Sequence, residues 1–529
     1  MLEDEILERG APAAQPELAV RSARDKIRSL EELAAIAGAA QDGGRTVALC
    51  HGVFDLVHLG HVRHIEQARS HGDLLIVTIT ADAFVNKGPG RPIFPERMRA
   101  EMLAAMECVD YVGINHASSA ETVLAAVRPN VYVKGADYEN PEEDVTGKIT
   151  SERDCVERLG GRIVFTHDIT FSSSSLINRY LDVYDPPVRD FLDRLRDNGG
   201  LNSLLDLIER IAGFRVLVIG DTIIDEYQYV NTLGKSAKEN IIATQFKDRE
   251  VFIGGVCATA NHLAGFCREV EVISTIGGHD SFEEEIRAHL KDNVTAYLVP
   301  VPGRPTTRKS RFVDPGYIRK LFEVYFMDDS PLPPDVRDRV DRTIAEKAAG
   351  FDLVIVNDFG HGLIARSTIE AISRNARFVA VNVQANAGNF GFNLVTKYPK
   401  ADYVCIDAPE ARLAVGEKFE DINHVISEML PERIDCDRFV VTHGKHGSYA
   451  YAREQGVVMV PAFTKTVVDT VGAGDAFFAI TAPLVAAGGD MLQVATIGNA
   501  VGAIKVGIVG HRTSVDKVPV IKYLTALMK

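Results

Sequence analysis

The stretch TVVDTVGAGDAFFA, residues 466–479, decides how the second half of the chain is read. Gly472 and Gly474 flank Ala473 and turn the backbone so that consecutive N–H groups face one point where a helix begins. Such a turn is an anion hole for a γ-phosphoryl group in transfer. Asp475, next in the chain, is placed to take the proton from an attacking hydroxyl. An isolated G-x-G-D is commonly no more than a helix start with a capping aspartate. Here the flanking D-T-x-G-A-G-D-x-F pattern argues for the chemical reading.

Around this motif, strand-sized apolar runs alternate with helix-sized amphipathic segments: FRVLVIGD, EVISTIGG, LVIVND, FVAVNV, YVCID and FVVTHG. That alternation predicts a parallel sheet with crossover helices over residues 212–529. The set resembles the ribokinase (PfkB-type) sugar kinases. By that resemblance Asp221, at the end of the first strand, binds sugar hydroxyls, and Gly254, Gly255 and Asn261 of FIGGVCATANHLA face the sugar. Thr442 and Gly444 of VTHGKHG belong to the ATP site, and Asn499 lies near the adenine. RPTTRKSRF and VNDFGHGLI are similar to the kinase half of bacterial heptose enzymes.

The chain departs from that pattern in two places. VNVQANAGNFGFN has no Asp or Lys after Val383, where the heptose kinases carry D-P-K. Asp407 and Glu410 stand where Asn and Glu are expected, so the resemblance implies an Mg²⁺ site there with one extra negative charge.

A second constellation lies at residues 51–69, HGVFDLVHLGHVRHIEQAR, after the strand-like TVALC. His58 and His61 fall on one face of a first helical turn, and Gly60 lets a ligand approach the backbone. A helix start favours anions, and two imidazoles there can stabilise charge growing on an α-phosphate as pyrophosphate leaves. The substrate's own phosphate attacks, so no protein nucleophile is needed. LLIVTIT, YVGI, VYVK and IVFT continue an α/β pattern over residues 43–180.

G-V-F-D-x-x-H-x-G-H resembles the signature of cytidylyltransferase-like nucleotidyltransferases. NKGPGRP, VKGADY and FSSSSLINR are similar to the adenylyltransferase half of the heptose enzymes. The resemblance implies that Phe54, His58 and His61 form the nucleotide and α-phosphate site, that Lys87 and Lys134 hold phosphates, and that Ser172, Ser173 and Ser174 open a phosphate-cradling helix. In those enzymes the kinase half comes first; here the order is reversed.

Residues 1–42 read as a polar, Ala-rich helical leader, and residues 181–211, with Pro-Pro and Asn-Gly-Gly breaks, as a helical linker. The N-terminus lacks a secretory pattern and no apolar run reaches membrane-spanning length. Hydrophobic residues make up 46% and charged residues 25%, the balance of a globular chain. A formal charge of −15 argues against a nucleic-acid partner. The seven scattered cysteines fit neither zinc spacing nor a disulfide framework, which suits the cytoplasm.

The expected protein is a bifunctional kinase and nucleotidyltransferase using Mg²⁺ and ATP (or CTP), acting on a sugar phosphate to make an ADP-heptose-like product for surface glycan. It is expected to form a homo-oligomer, most simply a dimer. Two alternatives stay open. One is a transferase with a regulatory or oligomerising kinase-like domain; the other is a CTP-dependent polyol-phosphate cytidylyltransferase.

Overall fold

A computed structural model describes residues 22–85, 91–117, 119–136, 139, 148–167, 185–197, 199–316, 318–464 and 466–528. The chain divides into two compact units, residues 1–85 with 92–173 and residues 86–91 with 174–529.

The first unit is built on five parallel strands: β1 (Val47–Gly52), β2 (Leu74–Thr80), β3 (Tyr111–Asn115), β4 (Val131–Gly135) and β5 (Arg162–Thr166). Their order is β3-β2-β1-β4-β5, with every pair parallel. Alternate side chains serve opposite faces. Ala48, Cys50, Leu75 and Val77 meet Ile65 and Ala68 of the helix Leu59–Arg69, and Ala100 and Leu103 of Glu96–Ala104. Val47, Leu49, Leu74 and Ile76 meet Leu33 and Ala37 of the helix Leu30–Asp42 on the other face. The expected leader helix is therefore part of this unit's core. Ser29 and Glu32 start it with a capping box, and Gly113 lets it close on the sheet: a Cβ there would lie 2.4 Å from Leu33 Cδ1.

The second unit carries β6 (Arg215–Gly220), β7 (Thr222–Lys235), β8 (Ile242–Gly254), β9 (Glu269–His279), β10 (Val294–Pro305), β11 (Thr307–Asp314) and β12 (Arg319–Phe326). It continues with β13 (Leu353–Asp358), β14 (Val379–Val383), β15 (Tyr403–Asp407), β16 (Arg438–Thr442), β17 (Ser448–Ala452) and β18 (Gly456–Val460). The main sheet runs β10-β9-β6-β13-β14-β15-β16-β17-β18, and β12-β11-β7-β8 form a separate four-stranded sheet. Pairing in the main sheet is parallel from β10 to β16 and antiparallel beyond.

The expected linker is helical, but its helices are not solvated. Pro186–Asp197 and Gly200–Arg210 insert Phe191, Leu192, Leu195, Leu204, Leu207 and Ile208 into the larger core beside Val216 and Val218 of β6. Their apolar stripes need a partner surface, and the back of this sheet supplies it.

Leu207→Ala is expected to destabilise the second unit by about 2–5 kcal/mol, the cost of emptying a fully buried leucine site. The shift of that unit's denaturant midpoint measures it. A change within about 0.5 kcal/mol would return these helices to the role of a solvated linker.

Candidate active sites

Order 3-2-1-4-5 reverses direction between β1 and β4, and in open parallel sheets the crevice at such a point receives ligands. The segment leaving β1 passes through Phe54, in the left-handed region at φ 49°, and enters the helix Leu59–Arg69 with His58 as its cap. Gly60 N–H donates to His58 Nδ1 at 3.1 Å, and His58 N–H donates to His61 Nδ1 at 3.4 Å. Each Nδ1 is thus an acceptor, so each neutral ring carries its proton on Nε2. Burial lowers the pKa of His58, which favours that neutral form. The two rings stand 4.0 Å apart, with Phe54 edge-on to His61 at 5.2 Å. Phe54, His58 and His61 are brought together as expected.

Lys134 is not presented to a ligand. It is 8% exposed, and its ammonium meets Glu152 at 2.8 Å, because β4's alternation turns it to the face where Tyr132 lies. Lys87 and Ser172, Ser173 and Ser174 fall outside the described residues.

A residue no motif pointed to organises this loop. Arg99, fully buried, donates to the carbonyls of Val53, Thr80 and Phe94 and pairs with Asp82 at 2.5 Å. Asp55, also buried, accepts from Ile93 N–H at 2.6 Å. Together they anchor the segment between β1 and the His58 helix.

In the second unit the C-terminal ends of β6, β13, β14, β15 and β16 present, in spatial order, Asp221, Asp358, Gln384, Asp407 and Thr442. Strand order reverses at β6/β13, where Asp221 and Asp358 stand. Asp221 accepts from the N–H groups of Phe359 at 3.0 Å and His361 at 3.3 Å. Burial, then the charge of Asp358, raise its pKa to about 6. Asp221, Arg304, Thr306 and His361 line one small cavity. His361 is 7% exposed and finds no hydrogen-bond partner among the described residues for either ring nitrogen; burial lowers its pKa to about 3.

Gly472, at φ 72°, starts the helix Ala473–Ala486, and Asp475 is buried in its first turn. Buried charges clamp this turn. Asp469 accepts from Tyr227 O–H (2.6 Å), Lys320 Nζ (2.6 Å), Gly510 N–H (2.8 Å) and Val471 N–H (3.1 Å). Lys505 Nζ donates to the carbonyls of Val471 at 2.6 Å and Gly510 at 2.8 Å. Of the expected anion-hole donors, Ala473 N–H is spent on Thr470 O at 3.2 Å. Gly474 N–H, at a helix start, has no intrahelical acceptor.

Gly472 also permits close packing, since a Cβ there would lie 2.3 Å from the His511 ring. His511 Nε2 approaches Asp225 at 3.4 Å, and Arg311 hydrogen-bonds the same carboxylate. Burial pushes Asp225 up, but Arg311 and His511 outweigh it and hold it well below the carboxylate range. Gly254 and Gly255 serve this network, because Cβ atoms there would strike the Asp225 carboxylate and the Asp221 carbonyl. Asp475 itself is raised by burial and by Asp225, against lowering by His511, Lys505 and Lys309.

Two expected ligands are committed elsewhere. Asn261 Nδ2 donates to His289 O at 2.9 Å and its Oδ1 accepts from Lys291 N–H; it sits two helical turns beyond Gly254. Asn499 Nδ2 is spent on the carbonyls of Val460 and Pro461. Thr442 and Gly444, the latter at φ 52°, lie at the mouth of the β16–β17 hairpin. Asp407 and Glu410 form a reciprocal cap on the helix Ala408–Val415, and Glu410 also accepts from Ala385 N–H at 3.0 Å. Burial raises both, with Asp407 adding to the rise at Glu410. Among the described residues no group of three or more His, Cys, Asp or Glu side chains is placed to hold a metal.

Residues 214–518, more than half of the chain, match the family model described as pfkB family carbohydrate kinase. The chain belongs to that family. Residues 49–179 match the cytidylyltransferase-like model, so that segment precedes the kinase segment as read from sequence. Relatives include the "Bifunctional protein HldE" of Syntrophotalea carbinolica, 38% identical over 163 residues, or 30% of this chain and 32% of that protein. The HldE of Bradyrhizobium diazoefficiens is 29% identical over 314 residues, or 58% of this chain and 62% of that protein. The chain thus spans about a third of the length of the first of these relatives. Escherichia coli phosphofructokinase-2 is 15% identical, with TM-score 0.48, over 60% of this chain and 100% of that one. Thermotoga maritima ribokinase is 18% identical, with TM-score 0.46, over 59% and 99%. Among the described residues no helix is long and apolar enough to cross a membrane.

Arg99→Met is expected to cost the first unit about 3 kcal/mol or more, since it strands a carboxylate and three carbonyls. Calorimetry should show that unit's transition lowered and the other unmoved.

Proposed function

We propose that the chain is a bifunctional enzyme that phosphorylates a sugar and activates a sugar 1-phosphate, making an ADP-heptose-like nucleotide sugar for surface glycan. The observation that carries this is the pair of separate helix starts beside two largely parallel sheets, one bearing His58 and His61 at the β1/β4 switch point and the other bearing Asp475 against Gln384 beyond the end of β14.

In the second unit Asp475 takes the proton of a sugar hydroxyl held by Asp221. The oxygen attacks the γ-phosphorus of ATP and ADP leaves. The turn at Gly472–Gly474 faces the charge that develops on the transferring group. Thr442 and Gly444 border the nucleotide. Asp407 and Glu410 are hard oxygen donors that burial raises, with the charge of Asp407 adding to the rise at Glu410; a divalent cation favours their ionised forms, so they fit Mg²⁺. Bound there, with ATP phosphates and water completing its shell, Mg²⁺ would neutralise phosphate charge.

In the first unit a sugar 1-phosphate oxygen attacks the α-phosphorus of ATP and pyrophosphate leaves. The Nε2–H groups of His58 and His61 donate to the α-phosphate as its charge grows. Lys87 and Ser172–Ser174 complete the phosphate site in this reading. CTP in place of ATP is the outcome a nucleotide screen would distinguish.

The seven free cysteines, six of them buried, suit a reducing cytoplasm. A homodimer is supported by Phe322, Val324 and Phe326, alternate residues of the outer strand β12 that stay exposed.

His58→Ala is expected to cut pyrophosphate release by on the order of 10² or more, with sugar-dependent ADP release spared. Asp475→Asn should do the reverse, losing on the order of 10² to 10⁴ of phosphoryl transfer. Separate assays of the two products decide it; parallel loss of both activities on folded protein would rule out independent sites.

A pH series addresses Asp221. Burial and Asp358 raise its carboxyl pKa to about 6, and protonation below that value removes its charge and part of its capacity to accept from sugar hydroxyls. The apparent KM for the sugar is therefore expected to fall as pH rises through that value, and Asp221→Asn should flatten the dependence while weakening binding.

A further inference from the structure

Among the groups around Asp475, one touches the base itself, and it stands directly after Val383, where the chain departs from D-P-K. Gln384 Nε2 lies 2.7 Å from Asp475 Oδ1. An amide has a donor end and an acceptor end, and against a carboxylate only the donor end is attractive. Gln384 is the first residue beyond β14, and its main chain is pinned on two sides. Its N–H donates to Asp358 O at 2.9 Å, and its own carbonyl accepts from Asn393 Nδ2 at 3.1 Å. The following segment is held as firmly: Asn386 and Asn389 both donate to Phe359 O, at 2.9 and 2.8 Å. The amide is therefore delivered to Asp475 from a rigid support.

We infer that Gln384 is a positioning residue for the kinase base: its amide fixes the Asp475 carboxylate in one orientation and holds it ready to receive the sugar proton. This rests on the kinase reading above and deepens it.

Charge alone does not do this task. The charged and titratable groups acting on Asp475 are His511, Lys505 and Lys309, which favour its anion, and Asp225 and burial, which oppose it. Glu410, tied to Ala385 next along the chain, adds further negative charge nearby. Neither Lys505 nor His511 is hydrogen-bonded to Asp475: Lys505 is spent on two carbonyls and His511 faces Asp225. The Gln384 amide is thus the directional contact, and it is one that cannot titrate. It holds the carboxylate without competing for the substrate's proton, as an acidic residue in its place would. Two carboxylates at this separation share a proton, and one of them is pushed up strongly.

The test uses the full chain with ATP and the sugar acceptor, following ADP release against pH. Gln384→Met keeps the length and removes the hydrogen bond. It is expected to lower kcat by about 10-fold to 100-fold, within the worth of a positioned base, and to move the acid limb of the kcat profile to higher pH. The KM for ATP should change little. Gln384→Glu is expected to move the acid limb upward by about one pH unit or more, as for a carboxylate pair, with activity recovering on the alkaline side. Both variants are checked for folding by ATP binding; if the methionine variant fails that check, the isosteric Gln384→Glu decides. Either variant with wild-type kcat and an unmoved acid limb overturns the assignment. A wild-type protein that releases no sugar-dependent ADP overturns the kinase reading and this role with it. An active wild type with indifferent variants overturns the role of Gln384 alone.

Discussion

The second unit depends on keeping two carboxylates, Asp225 and Asp469, ionised inside its core. Burying a lone carboxylate is expensive, and the chain meets that cost with paired cations and donors: Arg311 and His511 for Asp225, and Lys320, Tyr227 and two backbone N–H groups for Asp469. These pairs join distant parts of the chain. Residues 225, 311, 469 and 511 come from β7, β11, the turn before Gly472 and the loop after the helix Met491–Lys505. The same network shapes the site, because Gly254 and Gly472 have room for no side chain against Asp225 and His511. The glycines of both sequence motifs thus act partly as clearance for a buried ion network.

The environment grades the acids at the strand ends by role. Asp225, saturated by cations, stays ionised and structural. Asp221 and Asp475 are raised by burial and a neighbouring carboxylate, Asp221 to about 6, where a carboxyl can change state within the working pH range. Asp407 and Glu410 are raised by burial and, at Glu410, by the other's charge, which makes them receptive to a cation. Similar side chains on one sheet edge therefore carry different duties.

The first unit uses a different device at an equivalent place. Its two histidine rings accept from backbone N–H groups at Nδ1, which leaves Nε2 as the donor of a neutral ring. The strain of the Phe54 turn is supported from beneath by Arg99 and Asp55, so the loop that must meet a nucleotide is anchored at several carbonyls and N–H groups.

Local pattern determined a good deal. Apolar runs of strand length separated by amphipathic segments carry both parallel sheets, because a strand buried on two faces must be apolar throughout. The spacing of His58 and His61, and the Gly-Ala-Gly turn before Asp475, are properties of one helical turn each, so they were legible without the fold. The tertiary structure decided what depends on distant partners. Lys134 looks like a phosphate ligand in isolation, yet it pairs with Glu152; Asn261 and Asn499 look like substrate contacts, yet they bond backbone groups at the ends of the helix Glu283–His289 and of β18. The segments 30–42 and 186–210 read as leader and linker because they lie outside the alternation of strand-sized and helix-sized runs, and their apolar positions acquire meaning only against a sheet. Gln384, Arg99, His361 and His511 have no signal in sequence spacing. Each acts through a residue tens or hundreds of positions away, and only the closed sheet brings such pairs within hydrogen-bond or packing distance.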